Sequence, residues 1–419
     1  MSSATALPRV GAEPSEFREG WPVVLACFCA ATFAWGFGFY GQSVYLAELQ
    51  QTHGWSASLI ASATTVYYLA GAFLLTLVHR VFAFIGPRTM LAAGAVILGA
   101  GVIGLSRAEV PWQLFACSMV MAAGWACTTT TAIATTLAHW FDRRRGMAIS
   151  LALNGASTGG FVIAPLLVRF GHGMGLEKAV PILVLAALAV LLPVVLAGVG
   201  RPPVDGPHSN ALIRKDGAHA DAAGLPLLTS QSQVLSNLHF WLVSVPFALA
   251  LAAQVGFIVH QVAYLLPRLG SHGAGMAIAS TAIAATAGRL ALAGVIDRLN
   301  QRLASAASFA SQAAGLALML ALPDTPAALY AGSIVFGLSV GNVITLPSLI
   351  IQREFAARSF GLVVGLNSMV GQATLAFGPA LLGLAHDLTG SYAAALIVCI
   401  VLQLAGSIML LVGPRPPPR

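Results

Sequence analysis

The sequence predicts an all-α integral membrane protein whose twelve transmembrane helices form two bundles of six. Hydrophobic residues make up 58% of the chain and charged residues only 8%, whereas soluble domains usually carry about 25% charged residues. Apolar runs recur at about 20 residues, the length at which a helix crosses roughly 30 Å of hydrocarbon. These runs lack the strict alternation of a membrane β-strand. Helices are therefore predicted, because lipid offers no partner to an unpaired backbone group.

The predicted helices are joined by short connectors, with one exception. Their spans are residues 21–47, 57–78, 88–106, 112–138, 146–168, 179–199, 238–266, 274–296, 303–322, 326–350, 358–384 and 391–413. The exception is the polar and charged segment 200–237, which opens with Arg201-Pro202-Pro203. We therefore predict five parts: a tail (1–20), a first bundle (21–199), a linker (200–237), a second bundle (238–413) and a tail (414–419). The first apolar stretch is too long for a cleaved signal peptide.

The positions of Lys and Arg predict the topology. The tails and the even-numbered connectors carry Arg9, Arg18, Arg80, Arg88, Arg143, Arg144, Arg145, Arg201, Arg214, Lys215, Arg298, Arg302, Arg353, Arg358, Arg415 and Arg419. The odd-numbered connectors carry only Arg107, Arg169, Lys178 and Arg268. Because basic residues collect in cytoplasmic loops, we predict a multi-pass protein of the cell inner membrane or plasma membrane with both termini cytoplasmic. This placement explains the net charge of +7 without nucleic acid, since no basic stripe with interleaved aromatic residues is present.

The two predicted bundles resemble each other at an offset of about 214 residues. The matched pairs are Phe141 with Phe355, Pro165 with Pro379 and Arg88 with Arg302. Many secondary transporters use duplicated halves to build a midplane site that can face either side of the membrane. We therefore expect transport by alternating access.

Short motifs beside the predicted helices resemble those of the major facilitator superfamily, over essentially the whole chain. In the second half they are Gly288-Arg289-Leu290, Asp297-Arg298 and Arg302. In the first half Gly86-Pro87-Arg88 is present, but Ala83 and Phe84 stand where the superfamily usually has Asp-Arg. The resemblance implies the major facilitator fold. It also implies a gating or structural role for Arg88, Arg143, Arg145, Asp297 and Arg298.

Within that superfamily, the sequence is most similar to the monocarboxylate-transporter branch and its bacterial relatives, including oxalate–formate exchangers. Glu19-Gly20-Trp21 before the first helix resembles the start of that branch. The run from Trp140 to Ala148, with Asn154-Gly155 and Gly159 following, resembles its signature at the fifth helix. These motifs belong to the scaffold, so they indicate the branch rather than the substrate.

Arg289 is the basic residue that no connector holds, and it lies about two-thirds along the predicted helix 274–296. A charge near the membrane centre costs at least about 2.5–3.5 kcal/mol on insertion scales, so such residues are usually paired or functional. The acidic residues fall at predicted helix ends or in connectors. A substrate carboxylate would pair with the guanidinium through two parallel hydrogen bonds. The monocarboxylate-transporter resemblance implies the same role for Arg289. The alternative is an arginine satisfied by helix carbonyls and hydroxyls.

At several positions this chain differs from the monocarboxylate-transporter branch, and the differences reduce the range of expected substrates. Ala285 stands where the branch often has an acidic residue, and Gln42 aligns with a lysine of its animal members. Dicarboxylate exchangers add a second cation in the eleventh helix, where this chain has Asn367, Ser368 and Gln372. One buried cation suits one negative charge, so we favour a monocarboxylate.

His260 lies well inside the predicted helix 238–266. An imidazole titrates near physiological pH, so this residue is a candidate proton relay, a hydrogen-bond donor to substrate, or a core histidine satisfied by a carbonyl. Tyr264 shares its helix face four residues on. The other candidate substrate-binding residues are Tyr40, Gln42, Tyr67, Asn154, Asn367 and Gln372. Tyr45 is predicted to lie in the interfacial belt.

The sequence has no P-loop or HExxH motif, no GxSxG nucleophile elbow between a strand and a helix, and no dinucleotide-binding fingerprint with its flanking strand, so we predict neither enzymatic activity nor a cofactor or metal. The expected function is secondary active transport of a small organic anion by a monomer in the lipid bilayer, with a proton as the first candidate coupling ion. Alternatives are a drug or metabolite efflux transporter of the same fold, a uniporter or exchanger, and a membrane sensor that binds solute without translocation.

Overall fold

The computed structural model describes residues 16–141, 144–200, 228–293, 295–296, 299–356 and 359–413. These residues form helices and no β-strand. The first six long helices are α1 (Glu16–Phe33, Ala34–Tyr40 and Gly41–His53), α2 (Ala57–Leu75), α3 (Val78–Ser106), α4 (Pro111–Ala126 and Thr130–Ala138), α5 (Arg145–Thr158, Gly159–Ile163 and Ala164–Met174) and α6 (Leu176–Gly198). After the short helix Gln231–Ser236 come α7 and α8 (residues 238–269 and 271–293 of Leu238–Ala293), α9 (Gln301–Ala321), α10 (Pro326–Glu354), α11 (Phe360–Thr389) and α12 (Tyr392–Val412).

Gly270 separates α7 from α8. Its φ of 69° and ψ of 176° are not helical, so the continuous helix Leu238–Ala293 is in fact two helices that meet at this residue. Glycine suits the corner because residues with a Cβ rarely adopt a positive φ. In the described chain, eleven helices are long and apolar enough to cross a membrane, and the break at Gly270 makes twelve. The predicted fold class and helix number are confirmed.

Two apolar cores show how the halves of the chain meet. Because successive helices are antiparallel, Glu16 and Val412 lie on the same side of the bundle, which we call the terminal side; the opposite side is the far side. The larger core joins side chains of α1 to α6 with the far-side halves of α7 to α12. The smaller core holds the terminal-side halves of α7 to α12 and contains only residues from position 228 onward. The two halves of the chain therefore share a core on the far side and separate on the terminal side.

Several helices run beyond their predicted ends. α1 continues to His53 and α11 to Thr389, and each then stops at a glycine of positive φ, Gly54 (66°) or Gly390 (69°), as is common at helix C-termini. Glu48 consequently lies inside α1 and is only 5% exposed. The prediction that acidic residues lie only at helix ends or in connectors is wrong for this residue.

Two π-helical segments, Ala34–Tyr40 in α1 and Gly159–Ile163 in α5, pack against each other. A π-helix disturbs the regular hydrogen-bond ladder and leaves carbonyls that need other donors. The donors here are Gln42 Nε2 to Gly38 O (3.3 Å), Ser43 Oγ to Tyr40 O (2.8 Å) and the Tyr45 hydroxyl to Phe37 O (3.1 Å). Tyr45 is 1% exposed, so its predicted place in the interfacial belt is wrong.

Candidate substrate site

Arg289 lies near the terminal-side end of α8 and is half-buried. Its Nε is buried and has no hydrogen-bond partner. Within the described residues, no carboxylate forms an ion pair with the guanidinium. Leaving a buried charged donor unsatisfied is costly, and an anion is the ligand that would satisfy it.

Two glycines bring α10 against α8 at this arginine. A Cβ at Gly341 would lie 2.6 Å from Arg289 Nε and 3.0 Å from the carbonyl oxygen of Ala285. Gly288 has no room for a Cβ beside the carbonyl of Leu338. Small residues permit such close helix contact. Packing on the α10 backbone, rather than an opposite charge, therefore positions the Arg289 side chain.

Tyr40 of α1 packs against α5 beside α8, the helix that carries Arg289. A Cβ at Gly160 in α5 would lie 2.7 Å from Tyr40 Cε2 and 2.7 Å from the Cβ of Ala282 in α8. Tyr40 and Arg289 are close enough to interact electrostatically. Tyr40 of α1 and Gly160 of α5 thus pack beside the helix that carries Arg289.

Gln42 and Tyr67 face the interior of the first half rather than Arg289. Gln42 accepts a hydrogen bond from the Thr64 hydroxyl (3.1 Å), while its amide donates to Gly38. Tyr67 is fully buried, and its hydroxyl has no partner. The contacts of Gln42 therefore join α1 to α2.

His260 and Tyr264 contact backbone carbonyls of the second half. The Nε2 of His260 lies 2.9 Å from the carbonyl oxygen of Pro379, and its Nδ1 lies 3.5 Å from the Tyr392 hydroxyl. The Tyr264 hydroxyl donates to the Met319 carbonyl at 2.8 Å. Both side chains are almost completely buried, and these contacts link α7 to α9, α11 and α12.

A small and polar stripe runs along the terminal-side half of α11. It consists of Gly361, Gly365, Ser368 and Gln372. Their spacing of four, three and four residues puts them on one face, and the first three are exposed while Gln372 is half-buried. The exposed apolar residues Phe377 and Leu384 lie on a different face. Gln372 therefore belongs to the face suited to an aqueous opening.

The two asparagines among the candidates differ in surroundings. Asn154 in α5 is half-buried, and its backbone carbonyl accepts a hydrogen bond from Thr158. Asn367 is 8% exposed, and its Oδ1 is buried without a partner. Asn367 lies about 100° around α11 from Ser368, so it is off the polar stripe.

The gating candidates lie largely outside the described residues. This holds for Arg143, Asp297 and Arg298, and for the side chain of Arg145. Arg88 is exposed on α3 just after Gly86, whose φ is 75°. Its counterpart Arg302 is buried and bonded to Glu354 through Nε (2.7 Å) and Nη2 (2.8 Å).

The candidate residues drawn from the sequence do not include the glycines that shape this site. Gly160 and Gly341 contact Tyr40 and Arg289 directly, and Gly159 and Gly160 stand together in a predicted helix. Adjacent glycines within an apolar helix are a signal of close backbone contact. Neither the partner helix nor the side chain that fills the space can be deduced from that signal.

Comparisons with known proteins agree with the fold. The sequence model of the Major Facilitator Superfamily matches residues 26–352 and 268–419. The chain is 25% identical to the uncharacterized MFS-type transporter YcxA of Bacillus subtilis (strain 168), over 92% of both chains. It is 27% identical to monocarboxylate transporter 13 of Bos taurus, over 96% of this chain and 91% of that one. It is 25% identical to human monocarboxylate transporter 11, over 98% of this chain and 86% of that one.

Two solved structures resemble the fold. The nucleoside transporter NupG superposes with a TM-score of 0.74 at 12% identity, covering 94% of this chain and 98% of that one. A bacterial homolog of the human lysosomal transporter Spinster, in an inward-facing and unoccupied conformation, superposes with a TM-score of 0.65 at 13% identity, over 96% of both. At these identities the likeness concerns the fold alone.

Proposed function

Because this chain belongs to the Major Facilitator Superfamily, a superfamily of membrane transporters, we propose that it transports a small monocarboxylate by alternating access. Arg289 holds the substrate carboxylate, and the Tyr40 hydroxyl supplies a further hydrogen bond. The relatives named monocarboxylate transporters, at 25% to 27% identity, support this substrate class.

The unpaired guanidinium of Arg289 carries the proposal. Its Nε is buried without an acceptor, and packing against Gly341 fixes its position. A carboxylate entering beside α8 would accept two parallel hydrogen bonds and neutralise the charge. Because the polar stripe on α11 carries no charged residue, the proposed site has one positive charge to offer, which favours a singly charged acid.

The separation of the two halves on the terminal side provides the path. Lys and Arg are concentrated in the tails and even-numbered connectors, so we take the terminal side as cytoplasmic. The two bundles, 21–199 and 238–413, then rock about Arg289 to expose it alternately to each side. A proton gradient is the proposed driving force.

Uptake into proteoliposomes tests this function. Radiolabelled lactate and pyruvate are supplied outside, with and without an inward proton gradient, to the natural chain and to Arg289→Lys and Arg289→Ala. We expect gradient-driven uptake by the natural chain. Arg289→Ala should lower it at least about 100-fold, and Arg289→Lys should lower it as well, because an ammonium keeps the charge but not the planar fork.

Arg169→Lys is the matched control, since Arg169 is exposed on α5 and should tolerate the change. Uptake that is equal in Arg289→Ala and the natural chain would remove Arg289 from the site. An absence of uptake for every acid tested, by protein that elutes as a single species, would favour a substrate without a carboxylate.

A further inference from the structure

The N-terminus of α2 receives its hydrogen-bond acceptors from both halves of the chain. The first four N–H groups of a helix have no partner inside the helix. In α2, Leu59 N donates to the side chain of the capping residue Ser56 (3.2 Å), and Ile60 N donates to the Ser56 carbonyl (3.3 Å). The amides of Ala57 and Ser58 need acceptors from elsewhere.

Asp387, near the far-side end of α11, supplies both. Its Oδ1 accepts from Ala57 N at 3.2 Å and its Oδ2 accepts from Ser58 N at 2.8 Å. A carboxylate is the acceptor that a helix N-terminus favours most, because the helix dipole places positive potential there. One side chain of the second half thus completes the cap of a helix in the first half.

The backbones of α2 and α11 touch at the same point. A Cβ at Gly383, one helical turn before Asp387, would lie 2.8 Å from both Ser58 N and Ser58 Cα. The absence of a side chain at position 383 lets α11 approach closely enough for the carboxylate to reach the two amides.

A second polar contact joins the halves beside the first. The Tyr392 hydroxyl at the start of α12 donates to Gln50 Oε1 in α1 at 3.2 Å. The ring of His386 packs on the Tyr392 ring with centroids 4.2 Å apart, and His386 Nδ1 lies 3.1 Å from Asp387 Oδ1. These contacts lie on the side where the halves share one apolar core.

We propose that Asp387 is the latch of the far-side gate: its hydrogen bonds to Ala57 and Ser58 hold α11 against α2 and must break before the site opens to the far side. The inference rests on the alternating-access part of the proposed function and not on the carboxylate substrate. These hydrogen bonds suit a latch that opens and closes. When α11 separates from α2, water can replace the lost partner of the Asp387 carboxylate and of the two backbone amides.

Cysteine accessibility tests the latch without any substrate. Thr65 lies two turns below Ser58 on the same face of α2 and is 7% exposed. A membrane-impermeant maleimide, applied separately to each side of sealed vesicles, labels Thr65→Cys. The same chain without the introduced cysteine gives the background of the five native cysteines. A second reporter, Ser368→Cys, lies on the polar stripe of α11.

Asp387→Asn should increase far-side labelling of Thr65→Cys about three- to tenfold, from the loss of a charged capping contact, and should decrease terminal-side labelling of Ser368→Cys. Asp387→Glu, which keeps the charge, should behave nearly as the natural chain does. Gly383→Ala should also increase far-side labelling, because it separates α11 from α2 without removing the carboxylate.

Asp324→Asn is the matched control, since Asp324 is exposed between α9 and α10. Far-side labelling that does not change in Asp387→Asn, or that rises equally in Asp324→Asn, would overturn the proposal. So would an increase at both reporters, because this would show general loosening rather than a gate. Lactate uptake plays no part in these readings, so failure of the latch and failure of the proposed substrate are distinguishable.

Discussion

The guanidinium of Arg289 lies against the backbone of Gly341, so close that a Cβ at position 341 would sit 2.6 Å from Nε and 3.0 Å from Nη2. The position of the proposed anion-binding group therefore depends on the absence of a side chain in the neighbouring helix. This dependence leads to the first prediction.

Gly341→Ala should displace the guanidinium and weaken substrate binding. We expect KM for the transported acid to rise about tenfold, since small displacements of a positioning group are costly. The helix itself should not suffer, because Ala favours helix over Gly. Proteoliposome uptake at varied substrate concentration measures the change. Gly365→Ala is the control, since nothing lies within 4 Å of a Cβ at that position; an equal KM in both variants would contradict the prediction.

Tyr40→Phe should lower substrate affinity while leaving the fold intact. In the proposed site the hydroxyl bonds the carboxylate held by Arg289, and losing one such bond costs about 1 kcal/mol, or about fivefold in KM. Tyr67→Phe removes a hydroxyl that is buried without a partner, so transport should not fall and thermal stability should not decrease. The comparison fails if Tyr67→Phe impairs uptake as much as Tyr40→Phe does.

Glu354→Ala should destabilise the protein strongly. Glu354 is 4% exposed and accepts two hydrogen bonds from Arg302, while His239 Nε2 lies 2.8 Å from Oε2. Its loss leaves the buried Arg302 without its carboxylate, which typically costs about 3–5 kcal/mol. Thermal unfolding in detergent should show a marked fall in Tm.

Replacing Arg302 and Glu354 together by leucine should lower the stability less. Glu177→Ala, on the exposed first turn of α6, should lower it little. A double variant as unstable as Glu354→Ala would refute this explanation.

Gln312→Leu should also destabilise the second half. Gln312 donates to Gln254 Oε1 at 2.8 Å and accepts from Gln403 Nε2, so it bridges α7, α9 and α12. All three side chains are at most 1% exposed. Leaving two buried amides without this partner should cost about 1–3 kcal/mol, whereas replacing all three by leucine should be nearly neutral. A triple variant less stable than Gln312→Leu, by thermal unfolding in the same detergent, would show that shape rather than hydrogen bonding matters here.

Polar residues that look alike in the sequence make different contacts in the folded chain. Arg289 stands out from the sequence because an arginine in an apolar helix is costly. Gln42 and Tyr264 resemble Tyr40 in the sequence, since each is a polar side chain in an apolar helix, whereas Tyr45 is predicted to lie in the interfacial belt. In the structure Gln42 and Tyr45 bond carbonyls of the π-helical segment, and Tyr264 bonds the Met319 carbonyl. Local pattern cannot separate these roles, because each depends on a partner in another turn or another helix.

The membrane class, the number of helices and the exceptional position of Arg289 follow from the sequence alone, because lipid imposes length and apolarity on every spanning segment and makes a charge there costly. The capping of α2 by Asp387, the contact of Gly341 with Arg289 and the separation of the halves on the terminal side become visible in the folded chain. These features depend on contacts between residues far apart in the chain, such as Asp387 and Ser58, 329 positions apart. Apolar periodicity does not specify which helix packs against which, and it does not specify which of two closely related arrangements of the halves is adopted.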